Sequence, residues 1–300
     1  MKVLVTGCSG LLGSALCVSL RENFETYGTY SKHKVEVKGC ATMQLDITDA
    51  RKVTALIKKI SPEFIVHSAA LVGVNACEHS PELAEKINCK GTENIAKASI
   101  KQNSKLLYVS TDYVFDGKKG MYREDDETIP INVYGKTKLK GEKTALKADA
   151  CIIRTSIHGW NIFPERPSFT SWVIEALKSQ KIIDVFDDQF NSIMLVNNLA
   201  EFVEEAIKTE KKGVYHIAGN ERISKSDFAM KIAKIFGLDR SLINPVKTRE
   251  NLKATRPMDV SLSIAKAKKE FSSRAFDAEQ GIMIMNDLYE KEYMENFKVE

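Results

Sequence analysis

Short apolar runs alternate with longer amphipathic stretches through the first two thirds of the chain. Residues 3–5, 26–30, 42–45, 64–67, 105–109 and 151–154 have the length and apolar character of buried strands. Between them, residues 11–22, 49–60, 81–102 and 132–146 place apolar side chains at helical spacing. Such alternation predicts a parallel sheet with helices on both faces, and right-handed crossovers make it doubly wound. The pattern loosens after Thr155. Residues 169–179, 199–208, 261–271 and 278–293 read as helices and 214–217 as a further strand. Ser224 is placed to cap a helix running to Phe236, with Asp227 at the capping-box position. The chain therefore divides into a dinucleotide-binding domain, residues 1–155 and about 188–218, and a smaller, mainly helical substrate lobe, about 156–187 and 219–300. No Pro/Ser/Gly-rich linker separates them, so the two should pack tightly.

Chemistry enters first at the turn after the opening strand. Thr6-Gly7-Cys8-Ser9-Gly10-Leu11-Leu12-Gly13 follows a strand and opens a helix, the context that gives a glycine pattern meaning. Gly7 serves the tight turn, Gly10 lets backbone approach a pyrophosphate, and Gly13 allows close helix packing. The helix N-terminus adds free N–H groups and a positive dipole end. A Rossmann site for NAD(P)(H) is expected. The second strand ends in Tyr30-Ser31-Lys32-His33-Lys34, with no acid for the ribose hydroxyls. Ser31 and Lys32 instead suit a 2′-phosphate, so NADPH is expected, with NADH as the alternative. Asp46 either accepts from the adenine amino group or caps the next helix.

Tyr134 and Lys138 lie four residues apart on a predicted helix and so share a face. Reducing a ketone needs a proton at oxygen as hydride reaches carbon. A free phenol titrates near 10, and a neighbouring ammonium lowers that value. Thr111, in Ser110-Thr111-Asp112-Tyr113 at a strand end, stands where open α/β sheets bind ligands. It is placed to orient a carbonyl.

Together these stretches resemble the dTDP-4-dehydrorhamnose reductase family of extended short-chain dehydrogenases/reductases. The likeness rests on VLVTGCSGLLG at 3–13, STDYVFDG at 110–117 and NVYGKTKLKGE at 132–142. Arg154-Thr155-Ser156, Phe186-Asp187-Asp188-Gln189-Phe190 and Arg256-Pro257 add to it, so that it covers nearly the whole chain. The resemblance implies a catalytic set of Thr111, Tyr134 and Lys138. It assigns Gly7, Ser9, Gly10, Leu11, Leu12, Gly13, Ser31, Lys32, Asp46, Ile47, Ala69, Ala70, Leu71 and Val109 to the cofactor, with Tyr134 and Lys138 touching it as well. Thr111, Asp112, Tyr113, Ile157 and Arg256 would meet a nucleotide-sugar substrate. Asn88 matches a helix position that supports such sites, or is an ordinary buried amide. The chain departs from the family at Ile157, where a Trp is common, with Trp160 three residues on. It departs again at Asn75, where Asp is common, and at Asn197 and Asn198, where acids are common. Arg256 suits a diphosphate or a base, or else a surface ion pair.

Composition adds limits. A formal net charge of +4 over 300 residues, without a basic block, does not indicate a nucleic-acid partner. No apolar run is long enough to span a bilayer. The six cysteines, Cys8, Cys17, Cys40, Cys77, Cys89 and Cys151, have no zinc spacing, so no metal site is expected and they read as reduced thiols of a cytoplasmic protein. Glu124-Asp125-Asp126-Glu127 reads as a solvated face. A homodimer is expected from base rates. The leading expectation is NADPH-dependent reduction of the 4-keto group of a nucleotide-linked 6-deoxy sugar, dTDP-4-dehydrorhamnose to dTDP-L-rhamnose. Its rivals are a nucleotide-sugar epimerase or dehydratase, and an NADP-binding regulatory subunit like the methionine adenosyltransferase β subunit. Asp112-Tyr113 after the strand-end Thr lacks the Asp-Glu pair of dehydratases.

Overall fold

The computed structural model describes residues 1–163, 167–248, 254–288 and 293–299. Seven parallel strands form its central sheet: β1 (Lys2–Thr6), β2 (Glu25–Tyr30), β3 (Ala41–Gln44), β4 (Phe64–His67), β5 (Lys105–Val109), β6 (Cys151–Arg154) and β7 (Gly213–His216). Their spatial order is β7-β6-β5-β4-β1-β2-β3. The order reverses between β1 and β4, and ligands bind in the crevice beyond such a switch point.

Side-chain alternation explains why both faces are covered. On β1, Val3 and Val5 enter one apolar cluster and Leu4 the other. On β5, Leu107 and Val109 part from Leu106 and Tyr108 in the same way. One face is filled by α1 (Leu11–Leu20) and α5 (Val196–Lys208). The other is filled by α2 (Ala50–Ile60), α3 (Thr92–Gln102) and α4 (Val133–Leu146), through Val53, Ile57, Ile95 and Ala145. The first cluster runs on into the C-terminal segments through Trp160, Val173, Phe228, Ile282 and Met285.

Several elements differ from expectation. The stretch 81–102 is not one α-helix: Glu85–Gly91 is a π-helical segment ahead of α3. The wider turn carries Asn88 inward, and Gly91 packs directly on the Ile47 side chain, where an added Cβ would lie 2.6 Å from Cδ1. Within 261–271 only Ala265–Glu270 is helical, because Leu262 bridges Tyr122 in extended backbone. Of the helix expected over 278–293, Ala278–Asp287 is helical, and residues 289–292 lie outside the described residues. Small pairings went unread, such as Val35–Val37 with Phe297–Val299 and Ile183–Phe186 with Ile243–Val246. Strands this short, with partners far away in sequence, carry little periodicity. Ser224 does cap α6 (Lys225–Ile235), accepting the Asp227 N–H at 2.9 Å, but the Asp227 carboxylate accepts from the Ser224 hydroxyl rather than from its backbone.

Candidate active site

The glycine turn lies at the switch point. Gly7 has φ +78°, and a Cβ on it would meet Ala69 Cα at 2.8 Å, so the turn after β1 rests directly on the loop after β4. A Cβ on Gly13 would lie 2.1 Å from the Gly7 carbonyl oxygen, which leaves only glycine room there. Gly10 is exposed, and no side chain caps α1, so the first-turn N–H groups face the crevice unclaimed by a capping side chain. This cradle fits a dinucleotide pyrophosphate. Beneath it, buried His67 stands between Thr6 Oγ1 at 2.7 Å and Thr92 Oγ1 at 3.1 Å, tying β1 and β4 to α3. Burial pushes its imidazole down to about 3, so it stays neutral.

Ser31 and Lys32 are exposed at the end of β2, at the far end of the crevice from the catalytic helix, and the Ser31 carbonyl accepts from Gln44 Nε2 at 2.9 Å. Asp46 is exposed and accepts the Thr48 N–H at 2.9 Å, while capping of α2 falls to Asp49. The Asp46 carboxylate thus closes its own turn and caps no helix. Ile47 is core: its side chain packs on Gly91 and its carbonyl accepts from Asn94 Nδ2 at 2.9 Å.

At the other end stand the reactive groups. Asn132 caps α4 by accepting the Gly135 N–H at 2.9 Å, and the helix then presents Tyr134 and Lys138 to the end of β5. Lys138 is buried, donates to the Val109 carbonyl at 2.7 Å, and holds its ammonium 4.2 Å from the centre of the Tyr108 ring. The Thr111 hydroxyl stands beside the Tyr134 phenol, where it favours the phenolate. Thr111 also donates to Asp112 Oδ1 at 3.0 Å and accepts the Tyr113 N–H at 3.2 Å. Asp112 is buried, accepts Asn191 Nδ2 at 2.7 Å, and is raised to about 6 by that burial. Arg256 joins the cluster through Asn75 Oδ1 at 3.3 Å and through the Tyr113 phenol.

The electrostatics differ from the sequence expectation in one respect. Burial dominates both groups: it lifts the Tyr134 phenol well above its ordinary range and pulls the Lys138 amine down to about 7. Tyr134 is thereby held as the neutral phenol, the form that gives a proton away.

Behind these groups lies a polar network of which the sequence reading singled out Asn88 alone. Glu142, one turn beyond Lys138, accepts three bonds from Arg154 at 2.9–3.2 Å and one from the Ser110 hydroxyl at 2.5 Å. Arg154 Nη1 lies 3.4 Å from His216 Nε2. Asn88 fixes the loop after β4: its Oδ1 accepts the Leu71 N–H at 2.8 Å, and its Nδ2 donates to the Leu71 carbonyl and to Thr137 Oγ1, each at 3.1 Å. Asn88 is therefore a brace between cofactor loop and catalytic helix, and its only sequence signal was its place in Ile87-Asn88-Cys89.

Other candidates are not brought to the cluster. Trp160 is buried and donates to the Met285 carbonyl at 3.0 Å, so it does not stand in for a Trp at Ile157. Ile157 is half-buried in a two-residue strand beside Met194. The acidic run is partly structural: Asp126 accepts Lys119 Nζ at 2.6 and 2.7 Å, and Glu124 accepts the His216 N–H at 2.9 Å. Among the described residues, no group of three His, Cys, Asp or Glu side chains could hold a metal, and no helix is long and apolar enough to cross a membrane.

Comparison with known proteins agrees with this geometry. Residues 1–289 match the RmlD substrate binding domain family. A dTDP-4-dehydrorhamnose reductase of Aggregatibacter actinomycetemcomitans is 31% identical, over 94% of this chain and 97% of its own. The methionine adenosyltransferase 2 subunit beta of Xenopus laevis is 33% identical, over 89% of this chain and 82% of its own. The crystal structure of dTDP-4-dehydrorhamnose reductase from Bacillus anthracis in complex with NADP superposes with a TM-score of 0.86 at 29% identity, covering 95% of this chain and 98% of that one. The chain is an NAD(P)-dependent oxidoreductase like these reductases and belongs to the RmlD substrate binding domain family.

Proposed function

We propose that the protein is an NADPH-dependent reductase of the 4-keto group of a nucleotide-linked 6-deoxy sugar, with dTDP-4-dehydrorhamnose as substrate. The observation that carries this reading is the assembly of Thr111, Tyr134 and Lys138 at the end of β5, beside a glycine cradle. Gly7, Gly10 and Gly13 with the α1 N-terminus would hold the pyrophosphate, and Ser31 and Lys32 the 2′-phosphate. Ala69, Ala70 and Leu71 would line the dinucleotide. NADPH, when bound, supplies the hydride. Thr111 orients the substrate carbonyl, and Tyr134 donates its phenolic proton to the oxygen. Lys138, fixed on the Val109 carbonyl, offers its charge to the phenolate left behind. Positioned acid/base catalysis of this kind contributes about 10²–10⁴-fold. Tyr134→Phe should thus cut NADPH oxidation by about that factor while leaving NADPH affinity nearly unchanged. Turnover near wild type in the variant would overturn the assignment.

A second reading is supported by the likeness to the methionine adenosyltransferase subunit. In it the chain binds NADP and serves a partner enzyme. Tight NADPH binding with no oxidation by any 4-keto sugar, together with co-purification of a synthetase, would favour it.

A further inference from the structure

Thiols from different elements meet beneath the glycine cradle. Cys8 sits in the turn after β1, Cys17 on the buried face of α1, and Cys40 just ahead of β3. The strand β2 passes the first two at Gly28, where an added Cβ would lie 2.9 Å from Cys8 Sγ and 3.3 Å from Cys17 Sγ. Both sulfurs thus press on the same point of the strand. Cys40 completes the group: its thiol donates to the Cys17 carbonyl at 3.3 Å and stands beside the Cys17 thiol. Backbone ties the group to the cradle, since the Gly7 and Cys8 N–H groups both donate to the Thr29 carbonyl at 2.8 Å. The turn before Cys40 is clasped by Arg21, which donates to the Lys38 carbonyl and, at 2.7 Å, to Asn296 Oδ1.

These thiols are not equivalent. Cys8 and Cys17 are fully buried, whereas Cys40 is half-buried, so a small solute meets it first. The Cys17 thiol beside it and the Arg21 guanidinium lower the Cys40 thiol below its ordinary range, with Glu22 opposing. Cys17 is raised in return by Cys40, by Cys8 and by its burial. Cys40 is therefore the thiol that ionises, and the thiolate is the nucleophile. Cys17 stands behind it as a protonated partner. The other half-buried thiol, Cys89, is pushed up to about 12, chiefly by burial. Burial likewise pushes Cys77 up to about 11 and Cys151 up to about 12. An accessible thiol of lowered pKa in front of a second thiol is the arrangement that senses oxidants.

We propose that Cys40 and Cys17 are a redox-modified pair, which hydrogen peroxide converts to a disulfide that loosens the dinucleotide cradle. The Cys40 thiolate attacks one peroxide oxygen, the O–O bond breaks, and the hydroxide released takes up a proton to become water. Cys40 is left as a sulfenic acid. The Cys17 sulfur attacks it: an S–S bond forms, the S–O bond breaks, and the hydroxyl leaves as water with the Cys17 proton. Two thiols have lost two electrons and two protons, and one peroxide has become two waters. A disulfide draws its sulfurs to about 2.0 Å, closer than two thiols in contact. Because Cys17 is wedged against Gly28, that movement shifts α1, whose N-terminus is the cradle. The effect on the cofactor rests on the NADPH reading, whereas the bond itself does not.

The full chain is treated with a small excess of hydrogen peroxide, digested without reductant and mapped by mass spectrometry. NADPH affinity is measured by fluorescence before treatment, after it, and after dithiothreitol. The expected result is a Cys17–Cys40 cross-linked peptide and an NADPH Kd raised severalfold, both reversed by dithiothreitol. Cys40→Ser should bind NADPH as the reduced wild type does and keep that affinity in peroxide. Cys17→Ser should stop at the Cys40 sulfenic acid, which dimedone traps. Absence of the cross-linked peptide in the wild type, or oxidation falling first on Cys8 or Cys89, overturns the pair. A disulfide that leaves NADPH affinity unchanged overturns its coupling to the cradle. A disulfide in a protein that binds NADPH in neither state refutes the cofactor reading and leaves the pair standing.

Discussion

The buried pair behind the catalytic helix gives the sharpest test of how the site is held. Glu142 and Arg154 are 2% and 6% exposed in their side chains, with Arg154 Nη2 2.9 Å from Glu142 Oε2. Two further Arg154 bonds and the Ser110 hydroxyl complete the carboxylate's partners. His216, the other neighbour of Arg154, is held neutral by burial at about 3, so it cannot replace the lost acid and offers no negative charge. Glu142→Leu would strand a buried guanidinium, a change that typically costs about 3–5 kcal/mol. Glu142→Leu combined with Arg154→Met removes both charges and should recover most of that loss. Urea denaturation of wild type, the two single variants and the double variant measures each value. A loss below about 1 kcal/mol in Glu142→Leu, the range of exposed pairs, would refute the argument. So would a double variant less stable than either single one. The pair also reaches the chemistry, since Glu142 favours the charged form of Lys138.

Four further outcomes are expected. Lys138 needs its ammonium form, and burial has lowered its pKa to about 7, so kcat/KM in the wild type should fall as pH rises through about 7; a profile flat to pH 9 would contradict this, and Glu142→Gln should move the fall to lower pH. The same shift enters stability: between about pH 7 and the unfolded value of 10.5 the unfolded chain binds more protons, so Lys138's contribution to stability rises with pH across that window and is least favourable below it. Asn88→Ala removes three bonds between the Leu71 loop and α4, so it should lower kcat by about tenfold or more with NADPH binding also weakened, and Asn88→Asp should not restore the amide's two donor bonds. Lys32→Ala should narrow the NADPH-over-NADH preference severalfold, measured as a ratio of kcat/KM values; an unchanged ratio would remove Lys32 from the 2′-phosphate site.

Much of this was legible because the chemistry coincides with local signals. Gly7, Gly10 and Gly13 occur where a strand gives way to a helix, and Tyr134 and Lys138 share a helical face. The inner strands β1, β4, β5 and β6 were readable because parallel strands buried on both faces are largely apolar, whereas β2 and β3 toward the sheet edge are more polar. What escaped was non-local. Asn191 reaches the cleft through a two-residue pairing that leaves no periodic trace. Glu142 was within the quoted motif, but its partner Arg154 comes from another strand, and nothing in sequence spacing joins them. The π-helical turn at Glu85–Gly91 keeps helical periodicity nearly intact, so an inserted residue is invisible until Asn88 is found facing Leu71. The direction of the Tyr134 shift also depended on burial, which the spacing of Tyr134 and Lys138 does not report.

In the proposed reaction hydride passes to C4 of the sugar while Tyr134 supplies the proton. This is tested most directly by incubating the protein with dTDP-4-dehydrorhamnose and NADPH deuterated at the transferred position, then reading the product by NMR. The expected product is dTDP-rhamnose carrying deuterium at C4, formed in step with NADPH consumption and nearly abolished in Tyr134→Phe. Sugar interconversion without net NADPH consumption, or no deuterium at C4, would contradict it.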